Sequence, residues 1–154
     1  MPRYETRRTV GHSAQAMFDL VADIERYPEF VPLCEALKVR ARRQGDDNRE
    51  ILTAAMTIGY KLFRETFTSR VVLDRASLTI FVTYLDGPLQ NLENRWQFVD
   101  ETSKGCTVDF YLAYEFRSRT LGLVMGAVFD KVFSRFAEAF EQRADAIYGR
   151  RFIS

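Results

Sequence analysis

Residues 106–116 read CTVDFYLAYEF, and residues 128–149 read VFDKVFSRFAEAFEQRADAIYG. In the first stretch apolar and polar side chains alternate, which is the period of a strand with one buried face. From Leu121 to Gly149 apolar residues instead recur every three or four positions, which predicts one amphipathic helix of roughly 40 Å if it is continuous. Such a helix needs a sheet to bury its apolar stripe, so the chain is predicted to end as a helix packed on a sheet.

Turn signals divide the chain upstream of this pair into further strands. They lie at 45–48, at Gly59 and at 74–77, 86–88 and 104–105, and the segments between them alternate apolar and polar residues. Strands joined by such short turns are mostly antiparallel. The middle of the chain is therefore predicted to form about six antiparallel strands.

Two short helices are predicted after a first strand at Tyr4–Val10. Ser13 is a suitable N-cap for the first helix, and Asp23 is a suitable N-cap for a second helical turn. Two prolines then interrupt any continuation, so DIERYPEFVP at 23–32 is interpreted as a stiff, aromatic loop.

Length and composition fit a single domain that covers residues 1–154. The chain has 154 residues, of which 47% are hydrophobic and 28% charged, as is usual for a globular protein with a sizeable core. The predicted fold class is α+β, with about seven antiparallel strands in all, two short helices after the first strand and a long C-terminal helix. The net charge of +1 provides no overall field that would attract nucleic acid or anionic lipid.

The cysteines and the histidine give little indication of metal binding or catalysis. Cys34 and Cys106 lie far apart, and the single His12 completes no familiar zinc spacing with them. We expect no structural metal and a reducing compartment. His12 could act as a base only beside a serine or cysteine of unknown proximity, and a hydrogen-bonding role in its loop is the simpler interpretation. No catalytic residue is assigned.

Local basic clusters remain at 3–8 and 38–43. We interpret both as solvated faces, with contact to anionic headgroups or ribosomal RNA as the alternative.

The longest apolar run, Leu121–Phe129, contains nine residues, about half of what a membrane-spanning helix requires. It is apolar almost all round, so something beyond the sheet is expected to cover it. The simplest cover is the 23–32 loop; a partner, a membrane surface or a lipid are the alternatives. Gly122 and Gly126 within it indicate either close packing or space for a ligand.

Glu65 stands out because strand alternation places it on the same face as Phe63 and Phe67. A carboxylate there needs a partner. It is interpreted either as an ion-paired or rim residue, or as a polar anchor or general acid/base inside a cavity. Three further polar residues share the inward phase and are either anchors or satisfied core groups: Tyr84, Asn94 and Tyr114.

Four segments, in this order, resemble the coenzyme Q-binding START-like family of the polyketide cyclase/dehydrase and START superfamily. They are VADIERYPEFVPLCEALKV at 21–39, YLDGPLQNLENRWQF at 84–98 and the two stretches quoted first. The resemblance spans about residues 4 to 150. It implies a helix-grip fold, in which a curved antiparallel sheet wraps the long last helix and leaves a hydrophobic tunnel.

The resemblance also implies function. Members bind ubiquinone or a related isoprenoid lipid as a ligand rather than a cofactor, and act as lipid chaperones that support respiration without catalysis. A bacterial branch is named a ribosome-association toxin, which binds the large subunit and blocks subunit joining, and a cyclase or dehydrase enzyme is a third alternative. The implied location is the cytoplasm, with transient contact at the inner face of the cytoplasmic membrane and no DNA partner.

The ligand site follows partly from the family and partly from strand and helix phase. The family loop that closes one end of the tunnel corresponds here to Tyr27, Pro28, Phe30, Val31 and Pro32, and its wall motif to Trp96 and Phe98. Phase adds further lining residues, namely Met56, Phe63, Phe110, Leu112, Leu121, Met125, Val128, Val132 and Phe136.

Two hypotheses complete the predicted site. Glu65 or an inward tyrosine, Tyr84 or Tyr114, meets the quinone oxygens. The run 121–129 and the 23–32 loop together form a gate that touches the bilayer during loading.

Overall fold

Seven strands and three α-helices make up the described part of the chain. The computed structural model describes residues 3–101 and 105–149. In chain order the elements are β1 (Arg3–Val10), α1 (Ala14–Ala22), β2 (Cys34–Gln44), β3 (Glu50–Tyr60), β4 (Phe63–Asp74), β5 (Thr79–Asp86), β6 (Leu89–Asp100), β7 (Cys106–Phe116), α2 (Arg119–Phe133) and α3 (Phe136–Tyr148). Two short 3₁₀ helices lie at Ile24–Glu29 and Asp46–Asn48.

The strands form one antiparallel sheet in the order β1-β7-β6-β5-β4-β3-β2. Register shifts interrupt the pairing of β2 with β3, of β4 with β5 and of β6 with β7. Such bulges bend a strand and increase its twist, which lets the sheet curve around the helices. The predicted α+β class and the count of about seven strands are confirmed.

Helix α1 begins where the sequence indicates. The Ser13 side chain accepts a hydrogen bond from the backbone N–H of Ala16, as an N-cap does. The second short helix is the 3₁₀ helix Ile24–Glu29, which contains Pro28. The stiff loop predicted at 23–32 is therefore helical over most of its length.

The long C-terminal helix is present, but it is interrupted between α2 and α3. The Ser134 hydroxyl donates to the carbonyl of Lys131, and the backbone N–H of Arg135 bonds the carbonyl of Val132 instead. A serine that occupies a carbonyl of the preceding turn competes with the helical ladder. One continuous 40 Å helix is thus replaced by helices of 15 and 13 residues.

The 23–32 segment packs against α3 and does not cover the apolar run on α2. Tyr27 and Phe30 each meet the ring of Phe140 edge-on, with centroids 5.0 Å apart. Leu123 is 81% exposed and Val124 is 43% exposed. The expected loop cover is therefore wrong, because the rings of Tyr27 and Phe30 pack on Phe140 of α3. The gate at the bilayer stays a prediction.

His12 is buried at the junction of β1 and α1, and its Nε2 lies 2.7 Å from a carboxylate oxygen of Asp145 on α3. This contact fastens the start of the chain to the last helix, which is the hydrogen-bonding role expected of this residue. Within residues 3–101 and 105–149, no helix is both long and apolar enough to cross a membrane.

Candidate functional site

An internal cavity of about 90 Å³ lies between the concave face of the sheet and the C-terminal helices. Sixteen residues line it, and all but three are apolar in character. They are Ile24, Tyr27, Leu37, Ala54, Met56, Phe67, Ser69, Val71, Ile80, Val82, Leu92, Asn94, Trp96, Leu112, Phe133 and Phe136.

Strand register explains why these residues face one space. Val71, Val82, Asn94 and Leu112 are successive partners across β4, β5, β6 and β7, so they form one row across the sheet. Directly paired residues point to the same face, and every second residue along a strand does so too. The row and its neighbours therefore form a continuous wall, opposite the helical residues Phe133 and Phe136.

Four lining residues have polar side-chain atoms: Tyr27, Ser69, Asn94 and, through its indole N–H, Trp96. The Tyr27 hydroxyl donates to the carbonyl of Val21 at 2.5 Å, and burial holds the pKa of this phenol well above its usual value. Asn94 Nδ2 donates to the carbonyl of Tyr111 at 2.9 Å, and Trp96 Nε1 donates to Asn94 Oδ1 at 3.1 Å. No lining residue in the described ranges is an acid, lysine, arginine or histidine.

The cavity is smaller than the ligand its chemistry suits. A protein cavity of about 150 Å³ admits benzene, so 90 Å³ is too little for a substituted quinone ring. A ligand of that size therefore requires side chains to move. Two lining residues are suited to such movement: the unbranched side chain of Met56 is flexible, and Phe133 directly precedes the helix interruption at Ser134.

The sequence that forms the curved sheet, the cavity and the C-terminal helices matches a known protein family. Residues 10–141 match the family model described as polyketide cyclase / dehydrase and lipid transport. The chain belongs to this family. It is a START-like member, as expected from the four segments that carry the resemblance.

Relatives of this polyketide cyclase/dehydrase-type chain have two different names. It is 30% identical to the ribosome association toxin RatA of Escherichia coli K12, across 98% of this chain and 92% of that protein. It is 31% identical to the mitochondrial coenzyme Q-binding protein COQ10 homolog B of Xenopus laevis, across 96% of this chain. The match covers 60% of the length of the Xenopus protein.

A solved structure confirms the fold. The START superfamily protein from Mycobacterium smegmatis superposes with a TM-score of 0.76 at 19% identity, covering 94% of this chain and 98% of that one. The helix-grip architecture is thereby confirmed for this START-like chain.

Five residues predicted for the ligand site do line the cavity: Tyr27, Met56, Trp96, Leu112 and Phe136. A second group is buried in the core beside the cavity and outside its lining, namely Val31, Phe98, Phe110, Tyr114, Met125 and Val132. Phase places a side chain on the inner face but does not tell where along the strand the interior is empty. Phe110, for example, packs against the rings of Trp96 and Phe136, so no space remains beside it.

A third group of predicted lining residues lies at the periphery. Phe63 is 42% exposed and Pro32 is exposed, whereas the others are half-buried: Phe30, Glu65, Tyr84, Leu121 and Val128. Strand β4 pairs with β5 only from Thr68 onward, so its first residues pair with β3 alone and extend past the neighbouring strand that would help to bury them. Phe63 is therefore exposed and lies outside the cavity lining.

The three residues predicted to meet the headgroup also lie outside the cavity lining. Glu65 belongs to the same protruding end of β4 and is outside the cavity lining. The Tyr84 hydroxyl accepts the backbone N–H of Leu89 at 2.9 Å, and Tyr114 packs among the rings of Phe129 and Phe133. Tyr84 is thus a half-buried, hydrogen-bonded side chain and Tyr114 is a buried core side chain, and neither lines the cavity.

Several lining residues were not predicted. Val71, Ile80 and Val82 follow the inward phase of β4 and β5, so a stricter use of strand register would have included them. Ser69 shares this phase with Phe67 and Val71, but a serine has no apolar surface that would mark it as an inward residue.

Proposed function

We propose that this protein binds ubiquinone or a related isoprenoid lipid in its internal cavity and acts as a lipid chaperone that supports respiratory electron transport. The observation that carries the proposal is the cavity wall, which is apolar apart from a few neutral polar groups. Such a wall suits a ligand that is mostly hydrocarbon with a small polar head, because burial of apolar surface contributes about 25 cal/mol per Å². The similarity to a coenzyme Q-binding protein supports the same ligand class.

Binding without catalysis is part of the proposal. The two groups considered as acids or bases, His12 and Glu65, both lie outside the cavity lining. His12 Nε2 is hydrogen-bonded to Asp145, and this contact links the β1–α1 junction to α3. A cyclase or dehydrase activity would need an acid and a base at the ligand. The described lining holds no carboxylate, histidine or lysine, and its one phenol, Tyr27, donates to the carbonyl of Val21.

The experiment that tests the proposal is organic extraction of gently purified protein, followed by mass spectrometry. Ala54 is buried in the lining, so Ala54→Leu fills part of the cavity with three more carbons. Ala41 is exposed on β2, so Ala41→Leu adds the same carbons outside it. We expect near-stoichiometric quinone from the native protein and from Ala41→Leu, and little from Ala54→Leu. No extracted quinone, together with no binding of added quinone, would contradict the proposal.

Loading from a membrane surface extends the proposal. Leu62 and Leu123 are 97% and 81% exposed, and both lie at the end of the sheet where β7 leads into α2. Exposed leucines of this kind are suited to insertion among lipid headgroups. Flotation with liposomes should be reduced when both are changed to serine, and unchanged flotation would remove this step from the proposal.

A second candidate function is ribosome association, which the similarity to RatA over 92% of its length favours. In this alternative the protein binds the large ribosomal subunit and blocks subunit joining. Co-sedimentation with purified large subunits in sucrose gradients distinguishes it from the first proposal. Stable co-sedimentation by a quinone-free preparation would favour this second function.

A further inference from the structure

Asn94 lies in the middle of an otherwise apolar row of the cavity wall. Its partners in the adjacent strands are Val82 and Leu112, and it is only 8% exposed. A carboxamide in such surroundings costs free energy unless its polar atoms are hydrogen-bonded. A wall built only for packing would be expected to hold an apolar side chain at this position.

The two hydrogen bonds of Asn94 fix the orientation of its amide. The carbonyl of Tyr111 can only accept, so the atom 2.9 Å from it is the nitrogen. The indole N–H of Trp96 can only donate, so the atom 3.1 Å from it is the oxygen. A side-chain amide has two N–H donors and two oxygen lone pairs, so these contacts use one of each.

The remaining N–H of Asn94 is therefore a donor in the wall of a cavity that holds no charged side chain among the described residues. A ligand that brought a carboxylate or phosphate here would bury its charge without a counter-ion. A neutral carbonyl oxygen, in contrast, would accept this N–H and leave no charge to compensate.

We propose that Asn94 is the polar anchor of the cavity and selects a neutral ligand whose ring carries a carbonyl acceptor, in preference to an acid of the same size. The proposal rests on the proposed function, that the cavity binds a hydrophobic ligand. The Trp96 indole holds the amide in the orientation that keeps its N–H available. Ser69 lies two strands away in the same wall, and its hydroxyl is a second neutral group that can donate to another ligand oxygen.

Calorimetric titration with three probes that share one short prenyl tail tests this anchor. The first probe carries a benzoquinone ring, the second carries a benzene ring without the quinone oxygens, and the third carries a benzoic acid. The native protein should bind the quinone about threefold to tenfold more tightly than the arene, which is the contribution of one neutral hydrogen bond. The benzoic acid should be the weakest of the three at neutral pH.

Two variants separate the anchor from general packing. Asn94→Leu should remove the preference for quinone over arene while the arene still binds as in the native protein. Asn94→Ala removes the amide without adding charge or volume, so it decides the question if Asn94→Leu does not fold. Loss of the preference for quinone over arene in Asn94→Ala is the expected result.

The outcomes distinguish this proposal from the function it rests on. A quinone preference that survives in a folded Asn94 variant, or equal affinity for the benzoic acid, would overturn the anchor and leave ligand binding intact. Failure of the native protein to bind either the quinone or the arene would overturn the proposed function itself.

Discussion

The indole N–H of Trp96 donates to the side-chain oxygen of Asn94 at 3.1 Å, and both side chains line the same cavity. Trp96 is the only tryptophan in the chain. Its ring also lies 4.7 Å from the centroid of Phe110 and 5.1 Å from that of Phe140, so it joins the sheet to α3. Trp96 thus connects the polar Asn94 of the cavity wall with the aromatic core that packs against the last helix.

Glu65→Gln should leave quinone affinity within about twofold of the native value. The carboxylate lies outside the cavity lining, so its charge and its hydrogen bonds are not available to a ligand inside it. The same calorimetric titration measures this, with Asn94→Leu as the contrasting variant. A large loss of affinity in Glu65→Gln would show that the ligand reaches the protruding end of β4.

Ala54→Leu should abolish quinone binding and leave the free energy of unfolding within about 1 kcal/mol of the native value. The added carbons enter existing space, whereas most enlargements of a packed core cost about 1–3 kcal/mol. Urea denaturation gives the stability, and Ala41→Leu is the matched control. Loss of stability by several kcal/mol would mean that the space is not open to a side chain.

His12→Ala should lower the free energy of unfolding by about 2–4 kcal/mol, because it removes a buried ring and its bond to Asp145. Quinone affinity of the folded variant should not change, since His12 lies outside the lining. Urea denaturation and the quinone titration check the two halves. Lost binding in a variant of native stability would instead assign His12 to the ligand site.

Both cysteines should react slowly with alkylating reagents in the folded protein. Burial raises the pKa of the Cys34 thiol to about 11 and that of the Cys106 thiol to about 12, so little reactive thiolate exists near pH 8. Mass spectrometry after timed alkylation should show modification only when urea is added. Rapid labelling of either thiol without urea would contradict its buried position.

The same shifts predict that stability decreases at alkaline pH. The unperturbed thiol pKa is 9.0, and a raised folded value means that the folded state keeps its protons longer. The resulting stabilisation is complete below pH 9 and is lost as the pH rises through 11 to 12. The double variant Cys34→Ala, Cys106→Ala should show a shallower decrease in urea denaturation between pH 8 and 10.5, and an unchanged slope would contradict this account.

Periodicity was enough to predict the architecture but not the cavity. The alternation in β7 and the helical period after it arise because one face of each element is buried. The pattern of apolar residues in the sequence indicates that face directly. The cavity beside Asn94 depends instead on the length and position of the side chains that face it from the helices. Phe110 and Trp96 both face inward, yet Trp96 borders the space and Phe110 fills it.

Glu65 and Asn94 show what strand alternation leaves undecided about a polar side chain. Alternation places both residues on the inner face of the sheet, but only Asn94 lines the cavity. The pairing of β4 with β5 begins only at Thr68, and no local pattern indicates that end point. The register of the strands, which brings Asn94 between Val82 and Leu112, is a long-range property of the fold.

Fluorescence titration of Trp96 with a short-tail ubiquinone tests the central claim most directly. The tryptophan borders the cavity, so a quinone bound there lies against its indole ring and should quench its emission in a saturable manner. Ala54→Leu should not be quenched beyond the collisional background, and Ala41→Leu should behave as the native protein does. Quenching that never saturates, or that is identical in Ala54→Leu, would show that quinone does not enter the cavity and would contradict the account.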